Sequence, residues 1–277
     1  MSINFLNLEN IKNNQEVEGA ALLIDGEVRN YGHSEKLMFQ GKVSTKNQTY
    51  KVVCFVESLV NDLKSTVGQP VYIKGRRSDY NGTVSCIIED CYILEGVSCD
   101  VFVKKLDISF SDVLTLVQDI PENYLYLIKV LFSDKDFISS FEICPAAKYH
   151  HDAVIGGLIN HVCKGLKIIT ALRDIYGFSD SQYGILKLSY VLHDIGKLSC
   201  IKPSLEYTVK GTKLGHTLIS NIFVLEHEDV IKKFIGDEAI IEVLSCINFH
   251  DAMFDGYKPT TYLGTVLHHV DYIESQI

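Results

Sequence analysis

The sequence predicts an α+β protein of two domains, in which a small β-barrel precedes an all-α domain. Two patterns along the chain support this prediction. Between residues 17 and 95, β-branched and aromatic residues form short runs separated by turn-forming residues, which is typical of strands. From about residue 104 onward, apolar residues recur at intervals of three and four, the period of amphipathic helices. The 277 residues suit one large domain or two ordinary ones, and a hydrophobic fraction of 47% predicts a packed core.

The N-terminal strands follow the order of an OB-fold. Five runs have strand character: "EGAALLIDGEV", "KLMFQGKVST", "TYKVVCFV", "QPVYIKGRRS" and "TVSCIIEDCYIL". One helical segment, "ESLVNDLKSTVG", lies between the third run and the fourth. Five strands with a helix at this place match the OB-fold barrel, which binds oligonucleotides and oligosaccharides. A five-stranded barrel without a binding function is the alternative.

The domain boundaries follow from the same change of pattern. We expect an OB-fold nucleic-acid-binding domain at residues 1–98, a helical linker region at 99–145 and the all-α domain at 146–277. In the linker region, "DISFSDVLTLVQDI" predicts a helix that ends near Pro121. The next segment, "ENYLYLIKVLFSDKDFISSFEIC", predicts a helix that ends before Pro145. Its tyrosine-rich start suits packing between domains or between the subunits of a homo-oligomer.

Composition argues against several classes of protein. The net charge of −9 argues against a protein that coats nucleic acid by charge alone, although bound cations can supply positive charge locally. No apolar run approaches the ~20 residues of a membrane helix, and the N-terminal residues lack the pattern of an export signal. The eight cysteines form no CxxC pair, so neither a cysteine zinc site nor a disulfide framework is predicted. We therefore expect a cytoplasmic protein with reduced thiols and no membrane contact.

Polar side chains interrupt the apolar faces of the later helices. In "YVLHDIGKLSC", His193 and Asp194 follow an apolar run. Gly196 is expected to end the helix, so that both side chains can reach the same metal ion. Four further residues lie on or beside apolar faces: His161, His216, His250 and Asp271. A lone histidine in such a place is usually structural, but burying six unpartnered polar groups would cost roughly 1–3 kcal/mol each. A shared divalent cation removes this cost, and imidazole with carboxylate suits Mn, Fe, Co, Ni or Zn.

The order of these six residues resembles that of the HD superfamily of metal-dependent phosphohydrolases, in its branch with two-metal sites. The segments "HHDAVIGGLINHV", "LHDIGKL", "EYTVKGTKLGHTLIS" and "LHHVDYIE" are similar, more narrowly, to YhaM-type 3′→5′ exoribonucleases. Those proteins also place an OB-fold domain before an HD domain. The resemblance therefore implies an HD-type helical domain and covers almost the whole chain. One segment departs from the family pattern: "FHDAMFDGYKP" stands where relatives have "HG…E.GSP".

The resemblance also implies roles for individual residues. The core metal ligands are matched by His161, His193, Asp194 and Asp271, and the second metal site is completed by His216 and His250. Asp194 and Lys197 take the catalytic positions, with Lys197 near the phosphate. A substrate-entrance segment is matched by His150, His151 and Gly157. The implied cofactor is a divalent metal with two ions per chain, manganese being favoured over Mg, Co, Fe, Ni or Zn.

The function implied is that of a metal-dependent phosphodiesterase. We expect a 3′→5′ exonuclease that acts on single-stranded RNA, or on DNA, and releases nucleoside 5′-monophosphates. In such enzymes the metal ions activate water and stabilise charge that develops on the phosphate. One alternative is an HD phosphohydrolase of small or cyclic nucleotides. The other is a protein that binds single-stranded nucleic acid and whose HD fold is inert.

The barrel is expected to hold the single strand by aromatic stacking and a basic track. The candidates near "YIKGRRSDYNG" are Lys74, Arg76, Arg77 and Tyr80, with Tyr31, Phe39 and Tyr50 elsewhere on the strands. The alternative is that the aromatic residues form the barrel core and that the arginines belong to a solvated turn.

Overall fold

The computed structural model describes residues 3–32, 35–80, 82–148, 152–251 and 258–276. It confirms the predicted fold class, because a closed five-stranded β-barrel comes first and the later part of the chain is helical. The chain divides into two compact units, Met1–Lys104 and Lys105–Ile277, each with its own hydrophobic core. Most of the region 99–145 belongs to the helical unit.

The barrel unit has the topology of an OB-fold. Its elements are, in chain order, β1 (Glu16–Asn30), β2 (Leu37–Thr45), β3 (Gln48–Cys54), α1 (Glu57–Ser65), β4 (Pro70–Tyr80) and β5 (Thr83–Ile93). The strands neighbour one another in the order β1-β2-β3-β5-β4, and β4 pairs with β1 to close the barrel. β3 and β5 run parallel, whereas the other neighbouring pairs are antiparallel. A five-stranded Greek-key barrel of this kind is the OB-fold arrangement.

A long β1 closes the barrel. Its first half pairs with β4 and its second half with β2, with an irregular register between Leu23 and Asp25. A bulge of this kind bends a strand and increases its twist. Along β2 and β3, side chains alternate between the two faces of the sheet. Phe39, Val43 and Val52 are therefore fully buried in the barrel.

The helical unit is built around one buried helix. Its helices are α2 (Phe110–Val117), α3 (Glu122–Leu131), α4 (Lys135–Ile143), α5 (Gly157–Tyr176), α6 (Asp180–Leu192), α7 (Lys197–Cys200), α8 (Val209–Leu214), α9 (His216–Glu226), α10 (Glu228–Ile235), α11 (Asp237–Asn248) and α12 (Tyr262–Gln276). Residues 183–192 of α6 are all buried. The residues that follow α6 therefore lie deep in the unit. Among the described helices, none combines the length and the apolar content needed to cross a membrane.

The segment predicted as a single helix at residues 122–144 forms two helices instead. α3 ends at Leu131, and the side chain of Asp134 accepts a hydrogen bond of 2.8 Å from the backbone N–H of Phe137. Aspartate at this position satisfies a free amide and starts a new helix. The rings of Phe132 and Phe141 pack against Phe110, with centroids 4.5 and 6.2 Å away. The prediction was wrong here because the cap lies within an apolar pattern that continues across it.

Candidate metal centre

Five elements of the helical unit bring the six predicted metal ligands together. They are His161 from α5, His193 and Asp194 from the turn after α6, His216 from the start of α9, His250 from the residues after α11, and Asp271 from α12. Four of the six side chains are almost completely buried, whereas His216 and Asp271 remain partly exposed. These polar side chains can lie in the interior because the neighbouring elements supply partners for them.

Gly196, which the sequence predicted to end the helix, lies four residues after the end of α6 and does not adopt the left-handed conformation common at helix ends. Gly196 has φ −61° and ψ −21°, which side-chain-bearing residues also adopt. Its small size matters instead, because a Cβ atom there would lie 2.2 Å from the carbonyl oxygen of His216. The backbone N–H of Gly196 also donates to Oγ of Ser220 at 2.9 Å. Glycine thus lets the turn that carries Asp194 pack against the start of α9.

The first ligand cluster comprises His161, His193 and Asp271. The Nε2 atoms of the two histidines are 3.1 Å apart. Oδ1 of Asp271 lies 3.0 Å from Nε2 of His161 and 3.4 Å from Nε2 of His193. Ligand atoms about 2.1 Å from one tetrahedral metal ion are themselves about 3.4 Å apart. The spacing of this cluster therefore fits a shared metal ion.

The second ligand cluster comprises His216, His250 and Asp251. The Nε2 atoms of His216 and His250 are 3.2 Å apart. Oδ2 of Asp251 lies 3.1 Å from Nε2 of His216 and 3.4 Å from Nε2 of His250. Asp194 faces both clusters. Its Oδ1 lies 3.2 Å from Nε2 of His216, and its Oδ2 lies 3.4 Å from Nε2 of His193. Asp194 would therefore lie within reach of an ion in either cluster.

The hydrogen bonds of the Nδ1 atoms show which nitrogen of each ring is available to a metal. Nδ1 of His193 lies 2.7 Å from the carbonyl oxygen of Tyr190, and Nδ1 of His250 lies 2.6 Å from that of Ile247. A carbonyl oxygen only accepts, so Nδ1 carries the proton and Nε2 of the neutral ring carries a lone pair. Those lone pairs face carboxylate oxygens and other imidazole nitrogens. Oδ1 of Asp194 is likewise buried without a hydrogen bond. A cation would satisfy such a collection of acceptors, and a divalent metal fits it.

The electrostatics of the centre favour bound positive charge. Burial would raise the pKa of Asp194, but the charges of Lys197 and the neighbouring histidines hold that pKa well below its usual range. Burial would also raise the pKa of Asp271, but hydrogen bonds to His161 and His193 hold it well below the usual range. Burial lowers the pKa of His193, which therefore stays neutral at pH 7. The centre thus combines ionised carboxylates with at least one neutral imidazole, which is the state that metal binding requires.

Two other histidines show how strongly this environment attracts a cation. Burial alone would lower the pKa of His161, but hydrogen bonds to Asp271 and Glu274 raise it to about 9. Burial would likewise lower the pKa of His250, but the nearby carboxylates of Asp194 and Asp251 raise it to about 9. In the metal-free protein, a proton at these positions supplies the positive charge that a metal ion would otherwise provide.

Lys197 is the nearest fixed cation to the two clusters. Its ammonium group pairs with Oδ2 of Asp194, and although burial would lower its pKa, the charge of Asp194 raises it. Lys197 lines a cavity of about 740 Å³ together with ligands of both clusters. The cavity is also lined by Tyr207, Thr212 and Gly215. The cavity is therefore large enough to admit a nucleotide beside the ligands.

Of the remaining predicted residues of the helical unit, Gly157 is described and is not among the residues that line this cavity. His150 and His151 lie outside the described residues. Gly157 is the first residue of α5 and is buried. A Cβ atom on Gly157 would lie 1.9 Å from the carbonyl oxygen of Asp152, so glycine here allows the preceding loop to pack on the helix.

The structure adds two carboxylates that the sequence analysis did not identify. Asp251 belongs to the second cluster, and Glu274 contacts Nδ1 of His161 from behind the first cluster. The signals were present in the sequence. His250-Asp251 repeats the dipeptide of residues 193–194, and Glu274 lies three residues after Asp271, on the same face of one helix.

The basic residues predicted on the barrel lie among carboxylates. Lys74 is directly opposite Glu18 in the β1–β4 register. Arg76 pairs with Glu89 at 2.8 Å, and Arg77 pairs with Asp79 at 2.8 Å. The backbone of Tyr80 ends β4, and its side chain lies outside the described structure. The positive charge of this surface is therefore largely neutralised locally.

A different face of the barrel exposes aromatic and basic side chains together. It surrounds a cavity of about 810 Å³ that is lined by residues including Arg29, Tyr31, Lys51 and Phe55. Tyr31 is 55% exposed and Phe55 is 45% exposed, and their ring centroids are 5.2 Å apart. Of the other aromatic candidates, Phe39 and Tyr50 are buried in the barrel core and cannot stack on a base.

Comparisons with known proteins do not assign the chain to a family. No family model matches it, and no curated protein matches it. Among solved structures, it is similar to the HINa domain of Ifi202 in complex with 20-bp dsDNA, with 18% identity and a TM-score of 0.24. That match covers 35% of this chain and 54% of the other. It is also similar to RecG bound to a three-way DNA junction, with 10% identity and a TM-score of 0.28, covering 80% of this chain and 35% of that one. The chain thus spans about half of the first protein and about a third of the second, and similarities this low establish nothing about its function.

Proposed function

We propose that this protein is a metal-dependent phosphodiesterase that degrades single-stranded nucleic acid, with RNA favoured, from the 3′ end. The observation that supports this most strongly is the environment of His193. Its ring is neutral and its Nδ1–H is already used, so a lone pair on Nε2 faces Asp194, Asp271 and His161. A buried arrangement of this kind is favourable only around a cation.

The two clusters have different ligands around a shared carboxylate. His161, His193 and Asp271 would hold one ion, and His216, His250 and Asp251 would hold another, with Asp194 facing both. Oxygen and nitrogen donors without sulfur suit manganese, and also iron, cobalt, nickel or zinc. Divalent ions in such a site supply an activated water and stabilise the charge of a phosphate.

The residues around the clusters suit a phosphodiester substrate. Lys197 lines the cavity with its ammonium group held by Asp194, and would bind a phosphate oxygen. Hydrolysis would break the bond between phosphorus and the 3′ oxygen of the preceding nucleotide. The 3′ oxygen would take a proton, and the released nucleotide would keep its 5′ phosphate. Nucleoside 5′-monophosphates are therefore the expected products.

The barrel favours a polymer over a small nucleotide as the substrate. Tyr31 and Phe55 expose rings on which bases can stack, and Arg29 and Lys51 supply positive charge beside them. A hydrolase of small or cyclic nucleotides has no use for such a surface.

One assay tests the proposal. Purified protein with Mn²⁺ is incubated with end-labelled single-stranded RNA, single-stranded DNA and a panel of nucleotides that includes cyclic ones. We expect stepwise shortening of the strands from the 3′ end. The variant Asp194→Asn should lose this activity by about a hundredfold or more, because charge stabilisation by the ions is worth several kcal/mol. The control is Asp229→Asn, which removes an exposed aspartate of α10.

The other outcomes assign other functions. Hydrolysis of cyclic or small nucleotides without strand shortening would indicate the small-nucleotide phosphohydrolase. Strand binding without hydrolysis of any substrate would indicate a binding protein.

A further inference from the structure

Glu274 lies behind the first ligand cluster. It is located on α12, three residues after the ligand Asp271, and is only 2% exposed. Its Oε2 contacts Nδ1 of His161, the ring atom that faces away from the cluster. Its Oε1 lies 2.9 Å from the ammonium group of Lys164. A buried carboxylate thus joins a metal-ligating ring to a lysine one turn further along α5.

This contact distinguishes His161 from the other buried histidines of the two clusters. His193 and His250 direct Nδ1–H to a backbone carbonyl three residues earlier in the chain. His161 directs it to a charged side chain on another helix. A carboxylate is the stronger acceptor, so it fixes the ring more firmly and increases the electron density of the opposite nitrogen. His161 should therefore be the more basic of the two imidazole ligands in the first cluster.

Glu274 is itself held in place by a short chain of contacts. Lys164 also pairs with Oδ2 of Asp152 at 3.0 Å, and Oδ1 of Asp152 accepts a hydrogen bond of 2.7 Å from the side chain of Asn160. The carbonyl oxygen of Asp152 accepts a hydrogen bond from the backbone N–H of Ala146. Ala146 lines the cavity beside the two clusters. The position of Glu274 is thus fixed from one side by α12 and from the other by α5 and the loop before it.

We infer that Glu274 is a positioning residue for the first metal ion: it holds His161 with Nε2 directed at the cluster and strengthens this ligand. The inference rests on the proposed function, because it requires that the clusters bind metal. Lys164 assists by holding the second oxygen of Glu274. Neither residue contacts the metal or the substrate.

The test measures metal binding without turnover. Mn²⁺ is titrated into wild-type protein, Glu274→Gln and Glu226→Gln, each in competition with a fluorescent chelator, and two dissociation constants are fitted. Glutamine keeps the size of the side chain and removes its charge. We expect the affinity of one ion to fall by about tenfold to a hundredfold in Glu274→Gln, which is typical for loss of such a partner, while the other stays constant. Glu226→Gln, which removes an exposed carboxylate of α9, should match wild type.

A second measurement separates positioning from a general loss of structure. In Zn²⁺-loaded protein, the Nδ1–H of His161 should give a downfield proton resonance in wild type that shifts or disappears in Glu274→Gln. Lys164→Met keeps Glu274 and should weaken binding of the same ion by less than Glu274→Gln does. If wild type binds two ions and Glu274→Gln binds both with unchanged constants, the role of Glu274 is refuted and the proposed function stands. If wild type binds no Mn²⁺, both the role of Glu274 and the proposed function are refuted.

Discussion

Asp251 lies in the segment that differs from the pattern of the family that the sequence resembles, and the structure places it in the second ligand cluster. The segment "FHDAMFDGYKP" differs from the pattern of the family that the sequence resembles, and its first aspartate lies against both histidines of the second cluster. Burial would raise the pKa of Asp251, but a hydrogen bond to His216 and the charge of His250 lower it. The carboxylate is therefore ionised at neutral pH and available to a cation.

We expect Asp251→Asn to weaken binding of the second ion. Loss of one of three ligand groups should cost at least as much as loss of an outer-shell partner, about tenfold or more in affinity. Competition titration with Mn²⁺ measures the effect, with Asp229→Asn as the control for loss of one surface charge. The first cluster lacks Asp251, so its dissociation constant should stay within a factor of about two. Equal affinities in Asp251→Asn and wild type would show that this carboxylate is not a ligand.

At the scale of elements, the close approach of α5 and α6 holds the first cluster together. A Cβ atom on Gly165 would lie 1.9 Å from the ring of Tyr190, which is itself fully buried. The same ring packs against His193 with centroids 4.6 Å apart and against His161 at 5.7 Å. Any displacement of Tyr190 is therefore transmitted to two of the predicted metal ligands.

Gly165→Ala should consequently lower both stability and metal affinity. Overpacking costs about 1–3 kcal/mol, which exceeds the ~1 kcal/mol that alanine gains over glycine within a helix. The control is Gly184→Ala, whose Cβ would lie 2.7 Å from the ring of Tyr124, away from the ligands. Thermal unfolding and Mn²⁺ titration should show both variants destabilised and only Gly165→Ala impaired in metal binding. A Gly165→Ala protein as stable as wild type would refute this packing argument.

The sequence predicts elements well where one pattern decides them. Runs of β-branched and aromatic residues between turn formers placed the barrel strands, and the single helix between β3 and β4 identified their topology. The sequence predicts less well where a contact between residues far apart in the chain determines the role of a residue. Gly196 looks like a helix ending, but its conformation is ordinary and its size serves the packing on α9. Glu274 looks like a surface residue near the end of a helix, and only the fold shows that it reaches His161.

At the scale of the whole molecule, the two units divide the expected work between chemistry and binding. Sequence clusters of Lys and Arg drew attention to residues 74–77. Strand pairing places Glu18 opposite Lys74 and Glu89 beside Arg76, which the order of residues along the chain does not reveal. The face with Tyr31 and Phe55 is assembled from the ends of β1 and β3, 24 positions apart in the numbering of the chain. This face is the stronger candidate for holding a strand, because its aromatic rings are exposed.

The last prediction compares these two faces. A triple variant, Tyr31→Ala, Lys51→Ala and Phe55→Ala, should weaken binding of a long single strand, because stacking contributes roughly 1–3 kcal/mol per base. Loss of Lys51 should also reduce the salt dependence of binding by about 0.7 in the logarithmic slope. The control, Lys74→Ala with Arg76→Ala, should have little effect, since these cations already face Glu18 and Glu89. Binding is measured by fluorescence anisotropy at several salt concentrations, and turnover of a dinucleotide should be unchanged in both variants. If the triple variant loses the dinucleotide and the long strand equally, the barrel is not a separate binding unit; if the control loses strand binding as severely, the strand follows the other face.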